Sequence, residues 1–176
     1  MSSKVRGFEV LDEFKEKVVE ILKRDPESYF ISEDQLANLS TNYGDEDYWL
    51  PRRGTSGSAG YDIRSIEDVT INPGEVKLVG TGLTAYMLED EELQIRPRSG
   101  NALKLGLSVL NAPGTVDSDY YGKHIGVIMI NHSKEVRDIK AGDKIAQGVF
   151  KKYLIADDDN PISSTRDGGF GSTGRR

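Results

Sequence analysis

The chain has 176 residues, 36% of them hydrophobic, and a formal net charge of −6, which suits one ordinary domain with appendages and a modest core. That acidic balance disfavours nucleic acid or an anionic membrane as a partner, so any anionic ligand must be held by a local cluster of cations. With no cysteine and only two separated histidines, His124 and His132, disulfide scaffolds, thiol catalysis and a transition-metal site are disfavoured. The lack of a signal-peptide core or of about 20 successive apolar residues predicts a soluble, cytoplasmic protein.

In chain order, the first clear element is helical. Phe14, Val18, Ile21 and Leu22 recur at helical spacing behind Asp12, a plausible N-cap, and Pro26 follows, which predicts an amphipathic helix over residues 12–24. Ser32 with Gln35 three positions on has the form of a capping box ahead of Leu36 and Leu39, predicting a second helix. Residues 12–47 therefore read as a helical insertion whose apolar stripe packs on the outside of its own domain, with Trp49 as a packing anchor where the chain returns.

From about Asp68 the apolar residues alternate, as in Val76 and Leu78, Leu83, Ala85 and Met87, then Leu93 and Ile95. Turn signals at Asn72-Pro73-Gly74, 89–92, Pro113-Gly114 and 140–143 divide them into short strands with one buried face. The fold class read from this is all-β, a sandwich, jelly roll or barrel, in a single domain. Residues 157–176 are acidic and then glycine-rich, too polar for core, and read as a mobile tail.

Five stretches carry chemistry. SAGYDIR (58–64) sets Asp62 in a strand start, where it is either solvated or part of a site. RPRSGNA (96–102) places Arg96, Arg98 and the Ser99 hydroxyl beside Gly100, either a basic surface turn or a cradle in which guanidinium forks and open backbone N–H groups meet phosphate oxygens. LSVLNAPGTVDSDYYG (107–122) is a hairpin whose exposed backbone and Asn111 amide can pair with a base edge, followed by Asp117, able to take a proton from water, and the flat ring of Tyr120. RDIKAGDKIAQGVF (137–150) carries Gln147, either a ligand contact or a group satisfying buried backbone. TRDGGFGSTG (165–174) sets Arg166, Phe170, Ser172 and Thr173 among glycines, a tail able to wrap a phosphate chain.

In this order AGYDI, RPRSG, GTVDSDYYG, GDKIAQ and GGFGSTG resemble the five motifs of the trimeric dUTPase family, over Arg52 to Gly174, and residues 4–10 fit its first strand. The resemblance implies a jelly-roll-like (β-clip) barrel with the helical insertion near its N-terminus, a homotrimer, and hydrolysis of dUTP to dUMP and pyrophosphate at sites shared between subunits. It implies Asp117 as the general base that activates water, and Tyr120 as the ring that packs on deoxyribose and excludes a 2′-hydroxyl. Asn111 with Gly114, Thr115 and Val116 resembles the uracil-reading hairpin; Arg98, Ser99, Gly100 and Gln147 resemble the triphosphate cradle. Arg166 resembles the mobile catalytic arginine, Phe170 the lid over uracil, and Gly171, Ser172 and Thr173 the terminal-phosphate contacts. Mg²⁺ is implied as the cofactor, carried by the substrate's phosphates and water with no direct protein ligand, and Asp62 resembles the acid that organises its water shell.

Three departures stand out. Lys144 occupies a position where the family commonly has arginine, Arg166 precedes Gly168 by only two positions, and residues 12–47 have no counterpart in the family core. Two rival functions follow from the same residues. A dCTP deaminase would need a glutamate on the strand after the hairpin, and HIGVIMIN (124–131) has none. A dUTP-binding regulatory protein would act through residues 12–47 on a protein partner. The location expected is the cytoplasm of a bacterium or of a phage-infected host.

Overall fold

The structure is a computed structural model and describes residues 4–39 and 45–162. Twelve short strands form the framework of the described chain. They are β1 (Gly7–Val10), β2 (Arg52–Arg53), β3 (Tyr61–Arg64), β4 (Val69–Ile71), β5 (Val76–Gly80), β6 (Leu83–Tyr86), β7 (Glu91–Arg96), β8 (Leu107–Val109), β9 (Gly114–Asp117), β10 (Gly126–Asn131), β11 (Arg137–Ile139) and β12 (Lys144–Lys152). The largest sheet has the order β2-β3-β12-β7-β9, a second β5-β10-β8, and two pairs, β1-β6 and β4-β11, complete the set, all antiparallel. Alternation explains the burial: Leu93 and Ile95 of β7, Val127 and Met129 of β10, and Leu83 and Ala85 of β6 point into one core.

One strand departs from the expected phase. Val76 and Leu78 of β5 are exposed, and Val79 is the buried residue. Leu78 pairs with Ile128 and Val76 with Ile130, while Leu110 N–H bonds the Ile128 carbonyl, so β5, β10 and the end of β8 share an apolar face turned away from the core. The sequence period is right; the face it marks is one that a single chain leaves uncovered.

The helical segment contains α1 (Lys15–Arg24) and α2 (Glu33–Asn38). Asp12 does not cap α1: it opens a 3-10 turn, Asp12–Phe14, and pairs instead with Lys15 at 2.9 Å, because Leu11 stays bonded to the Gly82 carbonyl and the chain must tighten before helix can begin. The capping box at α2 is formed, with Ser32 Oγ accepting from Gln35 N at 3.3 Å and Gln35 Oε1 accepting from Ser32 N at 2.9 Å. Val18 and Leu22 have no exposed surface and belong to the same cluster as the barrel residues. The stripe is thus part of the main core, not a separate layer laid on a finished barrel. Trp49 is 2% exposed and donates Nε1–H to the Thr81 carbonyl at 3.0 Å, the anchor that its position suggested. Among the described residues no helix is long and apolar enough to cross a membrane.

Candidate active site

Strand pairing gathers distant stretches on the outer face of the five-stranded sheet. Arg52, Asp62, Gln147 and Arg96 are successive cross-strand partners in β2, β3, β12 and β7. One transverse row therefore carries the acid of the first stretch, the glutamine of the fourth and the leading arginine of the second.

Asp62 is the hub of this end. Its Oδ1 receives Arg98 Nε at 2.9 Å and its Oδ2 receives Lys144 Nζ at 2.7 Å. Partial burial works against the carboxylate, but the Lys144 hydrogen bond and the charges of Arg98 and Lys144 outweigh it, so Asp62 titrates below the ordinary range. Arg98 holds the N-cap position of α3 (Ser99–Leu105), and Asn101 of that helix donates to the Lys144 carbonyl at 2.8 Å. Ser99 and Gly100 are exposed, and no atom lies within 4 Å of where a Gly100 side chain would begin, so the backbone there is open to a ligand. Gln147 Nε2 donates to the Pro97 carbonyl at 2.8 Å, and its amide oxygen fills the space that a Gly60 side chain would take. A side chain at Gly60 would push the Gln147 amide out of this position. A cavity of about 410 Å³ opens here, bordered by Gly60, Asp62, Arg96 and Gln147.

The other half of the predicted site runs along the opposite edge of β7, from beside Arg96 to the far end of the strand. Gly114 pairs with Ile95, Thr115 with Gln94, Val116 with Leu93 and Asp117 with Glu92. Asn111 folds its amide back over Gly114, with Nδ2 3.2 Å from the point where a Cβ would stand, which keeps the hairpin tight around a bare backbone. Tyr120 ends the 3-10 turn Ser118–Tyr120 and donates its hydroxyl to the His124 carbonyl at 3.2 Å.

Gln147 and Asp117 flank β7 on opposite sides, at Arg96 and Glu92 respectively. Four residues of strand separate those partners by roughly 13 Å, and two strand spacings add about 10 Å across. Arg98, Ser99, Gly100, Gln147 and Asp62 are brought together; Asn111, Gly114, Thr115, Val116, Asp117 and Tyr120 form a second group. Within one chain Asp117 stands apart from the first group, whereas Gly114, opposite Ile95, lies one step along β7 from Arg96. Arg166, Phe170, Gly171, Ser172 and Thr173 lie outside the described residues.

Sequence reading missed three things. Lys144 is a partner of Asp62, which its place beside the glycine turn did not signal. Arg96, Gln94 and Glu92 form a polar relay along β7, with Arg96 Nη2 to Gln94 Oε1 at 2.5 Å and Gln94 Nε2 to Glu92 Oε1 at 2.6 Å, linking the two groups. The alternation of β7 could have shown that these three share a face. His124 also touches the second group, and nothing in its neighbours announced it.

The helical segment reaches the cradle as well. A cavity of about 680 Å³ has Ile21, Arg24 and Tyr29 on one wall and Arg98, Asn101 and Lys144 on another. Arg64 links the walls: its guanidinium lies 4.4 Å from the centre of the Tyr29 ring, and it donates to the Gly142 carbonyl at 2.6 Å. The described part of the helical segment is thus no remote appendage, a correction to the packing expected from the sequence.

Among the described residues no group of three His, Asp or Glu side chains can hold a metal ion. Both oxygens of Asp62 are already engaged by cations. The donor set, cationic and rich in N–H, fits a metal carried on phosphates and not a protein cage.

Comparison with known proteins places the chain in a family. The dUTPase family model matches residues 46–174. The deoxyuridine 5′-triphosphate nucleotidohydrolase of Nautilia profundicola is 50% identical over 130 residues, 72% of this chain and 91% of its own length. That of Lactococcus lactis is 44% identical over 140 residues, 76% and 93% of the two chains. The crystal structure of dUTPase from Streptococcus mutans superimposes with a TM-score of 0.61 at 40% identity, covering 68% of this chain and 96% of that one. A dUTPase from phage phi11 of S. aureus, 23% identical with a TM-score of 0.57 and described as coordinating a structural Mg(II) ion, shares the fold over 64% of this chain and 89% of that one. The chain belongs to the dUTPase family.

Proposed function

We propose that the protein hydrolyses dUTP to dUMP and pyrophosphate, with the substrate bound between chains of a homotrimer. The observation that carries the shared site is the separation of the cradle around Asp62 from Asp117 along β7. A reacting water must approach within about 3–3.5 Å of phosphorus, and the separation supports a site in which the cradle of one chain faces Asp117 of another. The apolar face of Val76, Leu78 and Leu110 supplies surface for such an assembly.

In this reading Asn111 and the backbone of Gly114, Thr115 and Val116 receive uracil, and Tyr120 packs on deoxyribose. Arg98, Ser99, Gly100 and Gln147 of a neighbouring chain hold the triphosphate. Asp62 steers Arg98 and Lys144 toward the phosphates, and Mg²⁺, if carried on those phosphates, would offset part of their charge. Asp117 accepts a proton from water as the oxygen forms a bond to the α-phosphorus; the bond from that phosphorus to the bridging oxygen breaks, and pyrophosphate leaves. Arg166 then meets the charge developing on the phosphates, and Phe170, Gly171, Ser172 and Thr173 close over the ligand. The cytoplasm is the compartment that fits a nucleotide substrate.

The test is pyrophosphate release from each deoxynucleoside triphosphate with Mg²⁺. Release from dUTP alone is expected; equal release from dTTP or dCTP would overturn the assignment. For the shared site, co-assembled Asp117→Asn and Arg98→Ala chains should recover part of the activity that each lacks alone. No recovery in verified mixed trimers would place each site within one chain.

A further inference from the structure

The loop after Tyr120 is fastened to the turn between β5 and β6 by an unusual contact. His124 Nε2 lies 3.1 Å from the backbone nitrogen of Thr81 and 2.9 Å from that of Gly82. Both nitrogens are donors, so Nε2 must offer its lone pair and the ring must be neutral, with its hydrogen on Nδ1. A protonated ring would set a third N–H against those two.

The same turn anchors the helical segment at both ends. Leu11 N–H bonds the Gly82 carbonyl at 3.0 Å, and Trp49 bonds the Thr81 carbonyl at 3.0 Å. Phe14 packs on the His124 ring, with centroids 4.5 Å apart. Thr81 Oγ1 in turn donates to the Ile125 carbonyl at 2.7 Å, and Tyr120 donates to the carbonyl of His124 itself. The imidazole thus stands between the helical segment and the ring read as the sugar contact. A cavity of about 370 Å³ bordered by Tyr120, His124 and Glu67 leaves room for the loop to shift when the imidazole lets go.

We infer that His124 is a positioning residue for sugar selection: its neutral imidazole, backed by Phe14, holds the 120–125 loop on the 81–82 turn so that Tyr120 meets deoxyribose. This rests on the reading of Tyr120 given above. The charged and titratable groups around the ring are Glu13 before α1, Glu67 after β3, Lys123 beside it in the chain, and the Tyr120 hydroxyl. Burial lowers the imidazole's affinity for a proton, and the opposing pull of Glu13 and Glu67 does not overcome it. The contact therefore holds at neutral pH and is strained as pH falls below the ordinary histidine value, about 6.5.

The experiment compares kcat/KM for dUTP and UTP between about pH 5 and pH 8 in the wild-type trimer, His124→Gln and His124→Leu. Glutamine offers an uncharged acceptor at the same reach, and leucine offers none. His124→Leu should lower the dUTP/UTP ratio about tenfold, the scale of leaving a buried donor unmatched. His124→Gln should keep the neutral-pH ratio and lose the wild type's decline in acid. A folded His124→Leu trimer with the wild-type ratio overturns the inference. If that variant does not fold, Tyr120→Phe, which removes only the hydroxyl tie, carries the same readout, and an unchanged ratio is again decisive against it. Imidazole ¹⁵N shifts test the ring without reference to substrate: a hydrogen on Nε2 at neutral pH overturns the inference, whereas an unchanged ratio in Tyr120→Ala removes the sugar reading alone.

Discussion

Lys144 and Asp62 meet at 2.7 Å between adjacent strands, and the other oxygen of the same carboxylate is held by Arg98 at 2.9 Å. One acid therefore fixes two cations beside the exposed Ser99–Gly100 backbone. Lysine reaches the acid as a point charge, whereas an arginine would bring a planar fork able to hold acid and phosphate together.

Lys144→Met should keep the fold, cost about 1 kcal/mol in stability, as expected for a half-exposed charge-assisted bond, and raise KM more than it lowers kcat. Its pH dependence follows from Asp62. A carboxylate titrating below its unfolded value stabilises the fold above that value, about 3.9, and loses the contribution as pH falls through the lower folded value. The stability gap between wild type and Lys144→Met should thus be full at neutral pH and close in strong acid. Urea unfolding at several pH values checks it; a gap that is constant through acid would show that Asp62 is not the group concerned.

Asp117→Asn should bind dUTP nearly as well as wild type and turn it over at least about a hundredfold more slowly, because a positioned general base contributes roughly 10² to 10⁴ and an amide takes no proton. Single-turnover rates with calorimetric affinities separate the two effects. A variant with half the wild-type rate would take Asp117 out of the proton transfer.

Truncation after Ser164 removes Arg166, Phe170 and the glycine-rich run. Oligomeric state and thermal stability should be unchanged while turnover falls much more than affinity, as for contacts that strengthen in the transition state. Wild-type turnover by the truncated protein would deny the tail any part in closing the site.

Leu22→Ala, at a side chain with no exposed surface, should cost about 2–5 kcal/mol in global unfolding, not a local loosening of α1. Replacing residues 12–47 with a short Gly/Ser linker should destabilise the whole domain for the same reason. Trp49 is the only tryptophan, so its emission reports the turn at Thr81 directly; it should shift in the linker variant and respond little to dUTP. Full retention of stability by either variant would make the helical segment a separate layer after all.

What the sequence determined by itself was local or repetitive in character. The period-two runs from Val69 onward, the capping box of Ser32 and Gln35, and the order of five short motifs each depend on residues close in the chain, so they are legible without coordinates. Which face a strand buries is not local. Val76 and Leu78 carry an apolar pattern outward, and only the partners across β10 show that this surface lies outside the core. Likewise Arg52, Asp62, Gln147 and Arg96 become one row only through strand register. The attachment of the helical segment to the 81–82 turn, through Leu11, Phe14, His124 and Trp49, was decided by tertiary structure alone. Such contacts join residues tens of positions apart, and their energy comes from burial and hydrogen bonds that exist only once the chain has closed on itself.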